Sequence, residues 1–417
     1  MKIFFFTILI IFIFCACGSS PHENFEISEE TEKIFDDSHL QVSAPEFVRL
    51  MGNGINLGNT MEAVSAGHHV PRRATHVYET MWGNPVTTRE MVAGMRNAGF
   101  TTLRIPVAWS NAMDIENGDL EIAAEFLERV EEIVNFALDE NMFVIVNAHW
   151  DRGWWSLFGH PELERRHFAM EIFSSMWAQI SNHFENYDLR LIFEPANEEW
   201  GSRFNDATTF SPTGGVLTVA ENYALLTHLS QKFVDQIRAG GGKNPDRFLL
   251  MRGYNTDIAR TIDRRFQMPD DPRNRLLLGI HYYTPWEYVG ESPKAKSWGK
   301  SRELAEMNDL LEKLTVFSEN GYGVVLGEWG VLKNDGDDRL LYFENFLDNA
   351  ELHGFAPILW DRGGGHGFFE RFFLHKISDE GLRNLFETRY NARKNFHREE
   401  IVEQARENLA RRIENAE

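Results

Sequence analysis

Short apolar runs alternate with amphipathic stretches along the chain from Gly54 onward. The runs have the length of strands buried on both faces, and the stretches repeat apolar residues at the three-or-four spacing of a helix with one buried face. The predicted strands are Gly54–Gly58, Thr101–Val107, Asn141–His149, Leu189–Glu198, Phe248–Gly253, Leu276–Tyr283, Gly323–Glu328 and Ala356–Trp360. Eight strands alternating with helices predict an α/β protein, a (β/α)8 TIM barrel. An open doubly wound sheet is the alternative, but no glycine-rich phosphate loop follows the first strand.

The first residues form an apolar segment that stands apart from this alternation. Lys2 precedes an apolar run over residues 3–14, which ends in Cys15-Ala16-Cys17-Gly18. A charged start, a short apolar run and small residues predict an export signal over residues 1–16. A transmembrane anchor is the alternative, but spanning takes about 20 apolar residues and this run is shorter. The ending resembles a bacterial lipoprotein signal with Cys17 as the lipidated residue, and simple secretion is the other possibility.

The rest of the chain divides by composition. Residues 17–45 are polar and acidic with little periodicity, which predicts a flexible tether. Residues 46–395 hold the alternating pattern and form the predicted globular domain. Residues 396–417 are highly charged, with apolar residues at helical spacing, and predict a terminal helix on which no chemistry is indicated. Both cysteines lie in the first segment, so the domain has no disulfide.

Charge and residue usage exclude several classes of function. The net charge of −21 argues against a nucleic-acid partner, because phosphate binding needs clustered lysine and arginine. No zinc-type spacing of cysteine and histidine is present, so we expect neither metal nor cofactor. A metal-dependent barrel hydrolase would need a ligand pair such as His-x-His on an early strand, and neither Asn56 nor Arg104 replaces it. We expect a monomer.

Polar and aromatic residues occupy the ends of the predicted strands. Glu198 and Glu328 each close a buried apolar run, where glutamate is disfavoured. The C-terminal strand ends of such a barrel converge on one mouth. The candidate site residues at these ends are Arg104, His149, Asn197, Glu198, His281, Tyr283, Glu328 and Trp360. Two carboxylates that face one cleft are the minimum equipment for hydrolysing a glycosidic bond.

Tryptophan follows the strand ends unusually often. Of 11 tryptophans, eight do so: Trp109, Trp150, Trp154, Trp155, Trp200, Trp286, Trp329 and Trp360. The flat C–H faces of pyranose rings stack on indole, so a mouth lined by tryptophan suits a polysaccharide. Trp150 and Trp286 are candidates for sugar stacking, and we expect two or three of the eight to fill the top of the barrel instead.

The chain resembles glycoside hydrolase family 5, and more particularly its endoglucanase-like branch. The matching stretches lie in the family's order between about residues 50 and 370. They are Gly54-Ile55-Asn56-Leu57-Gly58-Asn59-Thr60, Trp82-Gly83-Asn84-Pro85, Leu103-Arg104-Ile105-Pro106-Val107, Asn147-Ala148-His149, Asn197-Glu198, His281-Tyr282-Tyr283-Thr284-Pro285-Trp286, Gly327-Glu328 and Trp360-Asp361. The resemblance implies a retaining endo-β-1,4-glucanase that acts on cellulose-like β-glucan by a two-glutamate double displacement, without a cofactor.

The resemblance also implies a role for each candidate residue. Glu198 would be the general acid/base, with a pKa raised by burial and by Glu328. Glu328 would be the nucleophile, kept ionised by hydrogen bonds from Arg104 and Tyr283. The remaining residues would bind the sugar: Asn197 its 2-hydroxyl, His149 and His281 other hydroxyls or the carboxylates, and Trp360 its apolar face.

Three positions depart from the family's pattern. Glu199 and Trp200 stand after the acid/base where proline is usual, Trp150 stands where a second histidine is frequent, and Arg362 follows Trp360-Asp361 where asparagine is usual. None removes a catalytic group, so these departures put specificity in doubt rather than chemistry. Xyloglucanase, lichenase and β-mannanase remain open, as does a non-catalytic glycan-binding surface lipoprotein.

We expect an exported protein whose partner is a β-linked polysaccharide. With a lipid on Cys17 it would be membrane-anchored on the periplasmic or cell-surface side, and otherwise it would be secreted. The membrane would then be contacted only through the N-terminal lipid.

Overall fold

Eight parallel strands close into a barrel in chain order, with β1 paired to both β2 and β8. The computed structural model describes residues 42–416 except 66–73, 291, 332–335, 337 and 364–366. The barrel strands are β1 (Gly54–Asn56), β2 (Thr102–Ile105), β3 (Phe143–Asn147), β4 (Leu191–Glu194), β5 (Leu249–Arg252), β6 (Leu276–Tyr282), β7 (Gly323–Trp329) and β8 (Ala356–Leu359). The predicted (β/α)8 TIM barrel is therefore confirmed. The predicted signal segment with Cys17, and nearly all of the predicted tether, lie outside the described residues.

Most strands end earlier than the apolar pattern predicts. The largest difference is in β4, which stops at Glu194 rather than at Glu198. Pro195 follows directly, and because proline has no N–H to donate, the parallel ladder cannot continue through it. Asn197 and Glu198 consequently lie on the loop after β4, while β7 runs one residue past Glu328.

Helices cover the outside of the barrel and bury the apolar stripes that the sequence shows. In chain order they are α1 (Ala44–Met51), α2 (Thr75–Glu79), α3 (Arg89–Asn97), α4 (Ala124–Asp139), α5 (Leu163–His183), α6 (Val219–Arg238), α7 (Ile258–Thr261), α8 (Trp286–Val289), α9 (Ser301–Glu312), α10 (Thr315–Glu319), α11 (Asp338–His353), α12 (Glu380–Asn395) and α13 (Arg398–Asn415). In α4, Phe126, Val130 and Ile133 are buried at the predicted spacing. Across the described residues, no helix combines the length and apolar character that crossing a bilayer requires.

Helix α1 packs against the N-terminal end of the barrel. Its N-cap is Ser43, which forms a reciprocal capping box with Glu46. Phe47 stacks on Phe248 with ring centroids 3.7 Å apart, and a Cβ on Gly323 would come within 2.4 Å of Val48. Helix α1 thus begins at Ala44, two residues before the start of the predicted domain at residue 46.

The C-terminal segment packs on the barrel. A short hairpin, β9 (Phe369–Glu370) with β10 (Lys376–Ile377), follows β8. Helix α13 occupies most of the predicted 396–417 helix and buries Ala405 and Leu409. Arg412 reaches Asp348 on α11 at 2.6 Å, which ties α13 to an outer barrel helix. The predicted terminal helix therefore lies on the outer helices of the barrel.

Candidate active site

Charged and amide side chains collect at the C-terminal ends of the barrel strands. Parallel strands of a closed barrel end at one rim, so residues far apart in sequence meet there. The residues at these ends that are buried are Asn56 on β1, Arg104 on β2, Asn147 on β3, Glu194 on β4, Arg252 on β5, His281 on β6 and Glu328 on β7. A register shift between Ile280 and His281 brings His281 directly opposite Glu328.

Arg104 is the centre of this cluster. Its guanidinium is fully buried and donates to both oxygens of Glu194 at 2.7 and 2.9 Å. It also donates to Glu328 Oε1 at 2.8 Å, Asn56 Oδ1 at 2.9 Å and Asn197 Oδ1 at 2.8 Å. The predicted contact between Arg104 and Glu328 is present, and every remaining direction of the guanidinium fork has a partner.

Two charged residues of the site were missed by the sequence analysis. Glu194 and Arg252 are buried, and Arg252 Nη1 lies 2.6 Å from Glu194 Oε1. Arg252 also donates to the backbone carbonyl of Asn197 at 2.9 Å, and so fixes the loop that carries Glu198. The signal was the one that identified Glu328, a charged residue at the end of an apolar strand. Glu194 escaped because the predicted strand ran past it to Glu198.

Glu198 and Glu328 face each other across the mouth. One carboxylate oxygen of Glu198 lies within 4.8 Å of one carboxylate oxygen of Glu328. Burial raises the pKa of Glu198 and also that of Glu328, where the Arg104 guanidinium opposes the shift. Two such carboxyls this close hold one proton between them near neutral pH. The negative charge belongs to Glu328, because its oxygen is the one that accepts from Arg104.

The positive and negative charges of the cluster are equal in number when Glu198 carries that proton. Arg104 and Arg252 carry two positive charges, and Glu194 and Glu328 carry two negative ones. A neutral Glu198 completes the set without a buried excess charge, which would be costly at this depth. Tyr283 donates to Glu328 Oε2 at 3.3 Å, so the predicted second hydrogen bond to Glu328 is present, though long.

His281 has a defined tautomer. Arg252 Nη2 lies 2.8 Å from His281 Nε2 and can only donate, so the ring proton is on Nδ1, which donates to Glu198 Oε1 at 2.8 Å. Burial, followed by the charge of Arg252, keeps the pKa of His281 well below its usual range, so the ring is neutral. The proton of Glu198 is therefore left to its other oxygen, Oε2.

The same tautomer argues against a metal centre here. Among the described residues, Glu198, His281 and Glu328 form the group whose ligand atoms lie close enough for one ion. Both nitrogens of His281 are engaged in hydrogen bonds, and two arginines flank the carboxylates. Neither a free imidazole lone pair nor a net negative field is available for a cation.

His149, Asn197 and Trp360 line the same mouth. Asn147 Nδ2 donates to His149 Nδ1 at 3.2 Å, which leaves Nε2–H as a donor. The rings of His149 and Trp360 are nearly parallel, with centroids 5.7 Å apart. Because Asn197 Oδ1 accepts from Arg104, its buried Nδ2 points elsewhere and has no partner among the described residues. His149 Nε2 and Asn197 Nδ2 are thus available as donors that can bind hydroxyl groups.

Fewer tryptophans line the mouth than the sequence suggests. Five of the eight that follow strand ends are buried: Trp109, Trp154, Trp155, Trp200 and Trp329. The expectation that two or three fill the top of the barrel was therefore too low, because indole packs well beneath long loops. Trp150 and Trp360 are partly exposed, and Trp286 is 55% exposed. Trp82 is 45% exposed and was assigned no role from the sequence. Two residues later, Asn84 donates to the carbonyl of Asn59 at the mouth.

Comparison with known proteins gives matches over most of the chain. The sequence model of the family described as "Cellulase (glycosyl hydrolase family 5)" matches residues 64–365. A xyloglucan-specific endo-β-1,4-glucanase of Bacteroides ovatus is 31% identical over 376 residues, 85% of this chain and 70% of that protein. Endoglucanase A of Paenibacillus barcinonensis is 31% identical over 369 residues, 79% of this chain and 86% of that protein. The solved structure of a broad-specificity endoglucanase from an uncultured bovine rumen ciliate superposes with a TM-score of 0.72 at 31% identity, covering 85% of this chain and 99% of that one.

The substitution Arg104→Lys tests how far the site depends on the guanidinium. Lysine keeps the positive charge but cannot replace the five hydrogen bonds that Arg104 donates to four residues. We expect kcat/KM to fall about 10²–10³-fold, as for loss of a preorganised donor set. Arg89→Lys, at an exposed ion pair with Asp139, is the matched control and should leave kcat/KM unchanged. Retention of full activity by Arg104→Lys in a folded protein would contradict this account.

Proposed function

The chain belongs to the cellulase family, glycosyl hydrolase family 5, and from this premise we propose that it hydrolyses cellulose-like β-glucans by double displacement at Glu198 and Glu328. It is a cellulase-like glycoside hydrolase, an endo-β-1,4-glucanase of the retaining kind. The observation that best supports the proposed mechanism is the pair of carboxylate oxygens within 4.8 Å. Retaining enzymes hold their carboxyls about 5–5.5 Å apart, whereas inverting enzymes need about 6.5–9.5 Å to admit a water.

In the first step, Glu198 donates the proton on Oε2 to the glycosidic oxygen as the bond to the anomeric carbon breaks. Glu328 attacks that carbon and forms a covalent glycosyl-enzyme. Oε1 of Glu328 is held by Arg104 at 2.8 Å, while Oε2 has only longer contacts, to the Tyr283 hydroxyl at 3.3 Å and to His281 Nδ1 at 3.5 Å, so Oε2 is the attacking oxygen. Arg104 keeps the nucleophile charged without blocking it.

In the second step, Glu198 is a carboxylate and takes a proton from water, which attacks the anomeric carbon and releases Glu328. Asn197 Nδ2 donates to the sugar 2-hydroxyl, a contact that strengthens as positive charge develops on the ring. The donor at His149 Nε2 binds a second hydroxyl, and Trp360 packs beneath the same sugar. Within the described part of the chain, Asn197 Nδ2 and His149 Nε2 have no hydrogen-bond partner.

Xyloglucan is a second candidate substrate within the same activity. The Bacteroides ovatus relative is named for xyloglucan, and a solved Bacteroides ovatus xyloglucanase with a bound XXXG heptasaccharide superposes with a TM-score of 0.72. The exposed ring of Trp286 offers a stacking surface outside the cleft floor, where a substituted glucan has room for its side chains.

A panel of polymers tests the proposed activity. We expect the purified protein to lower the viscosity of carboxymethylcellulose and mixed-linkage β-glucan faster than it releases reducing ends, as an endo-acting enzyme does. Xyloglucan should be cleaved in the same assay if its side chains are accommodated, and β-mannan should be cleaved least. Glu198→Gln is the inactive control. Binding of all four polymers with hydrolysis of none would instead support the non-catalytic glycan-binding alternative.

Activated substrates separate the roles of the two glutamates. Glu328→Ala should abolish turnover, and azide should restore part of it by taking the nucleophile's place. Glu198→Ala should retain the first step on aryl glycosides whose leaving group needs no proton, while losing at least about 10²-fold on polysaccharide. Rates on 2,4-dinitrophenyl and polymeric substrates measure the difference. Equal losses on both substrates in both variants would show that the roles are assigned wrongly.

We also propose that the protein is exported and held at a membrane through a lipid on Cys17, on the periplasmic or cell-surface side, and acts there as a monomer. The support is the sequence of the first segment: Lys2, the apolar run 3–14 and the small residues around Cys17. The acidic segment 17–45 would then keep the mouth of the barrel in water, within reach of a bulky polymer.

Cys17→Ser tests the anchor. We expect this variant to move from the membrane fraction to the soluble fraction, because the acyl chains can no longer be attached. Activity per molecule on soluble β-glucan should stay the same, since the barrel is unaltered. Cys15→Ser is the matched control and should remain with the membranes. A Cys17→Ser protein that still fractionates with membranes would indicate a transmembrane segment instead.

A further inference from the structure

Two of the three departures from the family's pattern touch each other. Glu199 stands where proline is usual and Trp150 where a second histidine is frequent, 49 positions apart in the chain. The carboxylate of Glu199 is only 2% exposed, and it accepts hydrogen bonds from the backbone N–H of Trp150 and, at 2.7 Å, from that of Asn197. Glu199 therefore joins the loop after β3 to the loop after β4, which carries Glu198.

The loop after β3 needs this support. Trp150, Asp151 and Arg152 have φ values of 47°, 28° and 61°, three consecutive left-handed residues of which none is glycine. Asp151 anchors the turn from its other side by accepting from Ser110 N–H at 2.7 Å and Trp154 Nε1 at 2.8 Å. The backbone direction of Trp150, and with it the position of its ring, is set by these contacts.

A positively charged side chain lies over the ring of Trp150. The guanidinium of Arg203 lies over it, 4.4 Å from the ring centroid, in a cation–π contact. From that position Arg203 Nη2 is 3.9 Å from Glu198 Oε2, the oxygen on which the mechanism places the proton. Among the described residues, the other charged group near Arg203 is Asp206, at 3.6 Å, so the aromatic face is the main support of the Arg203 side chain.

We propose that Glu199 and Trp150 form a positioning unit that holds the Arg203 guanidinium beside the acid/base carboxyl of Glu198. The inference rests on the proposed function of Glu198. A positive charge at this distance favours the carboxylate over the carboxylic acid. Arg203 then limits the pH range in which Glu198 can protonate the leaving group, and it favours the ionised form that the second step needs.

Other groups near Glu198 do not reproduce this effect. The charged or titratable groups that face it are His281 on β6, Glu328 on β7, Arg252 on β5, Arg104 on β2, Tyr283 after β6 and Glu199 beside it. His281 is neutral and the two arginines keep their charge over the working range, while Arg104 and Arg252 are already paired with Glu194. Among the described residues, Arg203 is the cation near Glu198 whose placement depends on Trp150, and through Trp150 on Glu199.

The test compares Arg203→Met and Trp150→Ala with wild type. Both should move the high-pH limit of kcat/KM on β-glucan upward, because Glu198 holds its proton to a higher pH without the nearby charge. Above the wild-type limit, kcat/KM relative to each protein's own optimum should rise roughly two- to fivefold, the scale of a partly exposed ion pair. Arg203→Lys should stay near wild type. Trp150→Ala changes no charge, so a shift equal to that of Arg203→Met, and no further shift in the double variant, identifies positioning.

The controls separate this effect from general loss of charge or structure. Arg96→Met removes a guanidinium that also lies over an aromatic ring, Tyr390, at 4.9 Å, but at the opposite end of the barrel, where it donates to the carbonyl of Glu140. Its pH limit should match wild type. An unchanged limit in Arg203→Met overturns the inference, and a shift in Arg203→Met without one in Trp150→Ala removes Trp150 from it.

Two readouts are independent of substrate hydrolysis. The ¹³C signal of the Glu198 carboxyl, assigned by its absence in Glu198→Gln, should titrate at higher pH in Arg203→Met than in wild type. Hydrogen exchange of a peptide over residues 149–153 should quicken in Glu199→Ala, while a peptide in α13 stays unchanged. Unaltered exchange would remove Glu199 from the unit. A wild type without glucanase activity would defeat the proposed function, whereas the carboxyl titration would still decide the placement of Arg203.

Discussion

The buried ion pair between Arg104 and Glu194 is the constraint on which the site depends. Both side chains are fully inaccessible to solvent, and Arg104 extends from this pair to Glu328, Asn56 and Asn197. The buried carboxylate of Glu328 is stabilised by the guanidinium fixed beside it. The guanidinium is in turn fixed because Glu194 accepts hydrogen bonds from two of its nitrogens. The hydrogen bonds of the Arg104 guanidinium thereby connect the ends of four barrel strands, β1, β2, β4 and β7.

This arrangement separates the chemistry from the wall of the cleft. The carboxyls, arginines and His281 sit on strand ends or directly after them, where the barrel ladder defines their positions. Trp150, Glu199 and Arg203 sit on connecting loops, and their mutual contacts adjust the surroundings of Glu198 without altering the pair itself. Loops on a rigid scaffold can vary in this way, which accounts for departures from the family's pattern that leave every proposed catalytic group in place.

The sequence predicts the barrel and most of the site because both depend on burial. Apolar runs mark strands covered on both faces, and a charge at the end of such a run is rare enough to be informative, as at Arg104 and Glu328. Glu194 was missed because the apolar pattern does not show where the hydrogen-bond ladder stops at Pro195. The burial of Trp109, Trp200 and Trp329 was underestimated because a strand-end position does not specify the packing of the loop above it. The contact of Glu199 with Trp150 joins two loops whose spacing only the closed barrel determines.

In the proposed double displacement, Glu328 attacks the anomeric carbon directly, with no water between the two carboxyls. Time-resolved ¹H NMR of cello-oligosaccharide hydrolysis by the wild-type protein measures this most directly, because the anomer formed first is seen before mutarotation. Double displacement predicts that the new reducing end appears as the β-anomer and later equilibrates to the mixture of anomers. First appearance of the α-anomer would mean inversion by a water held between Glu198 and Glu328, and it would contradict double displacement.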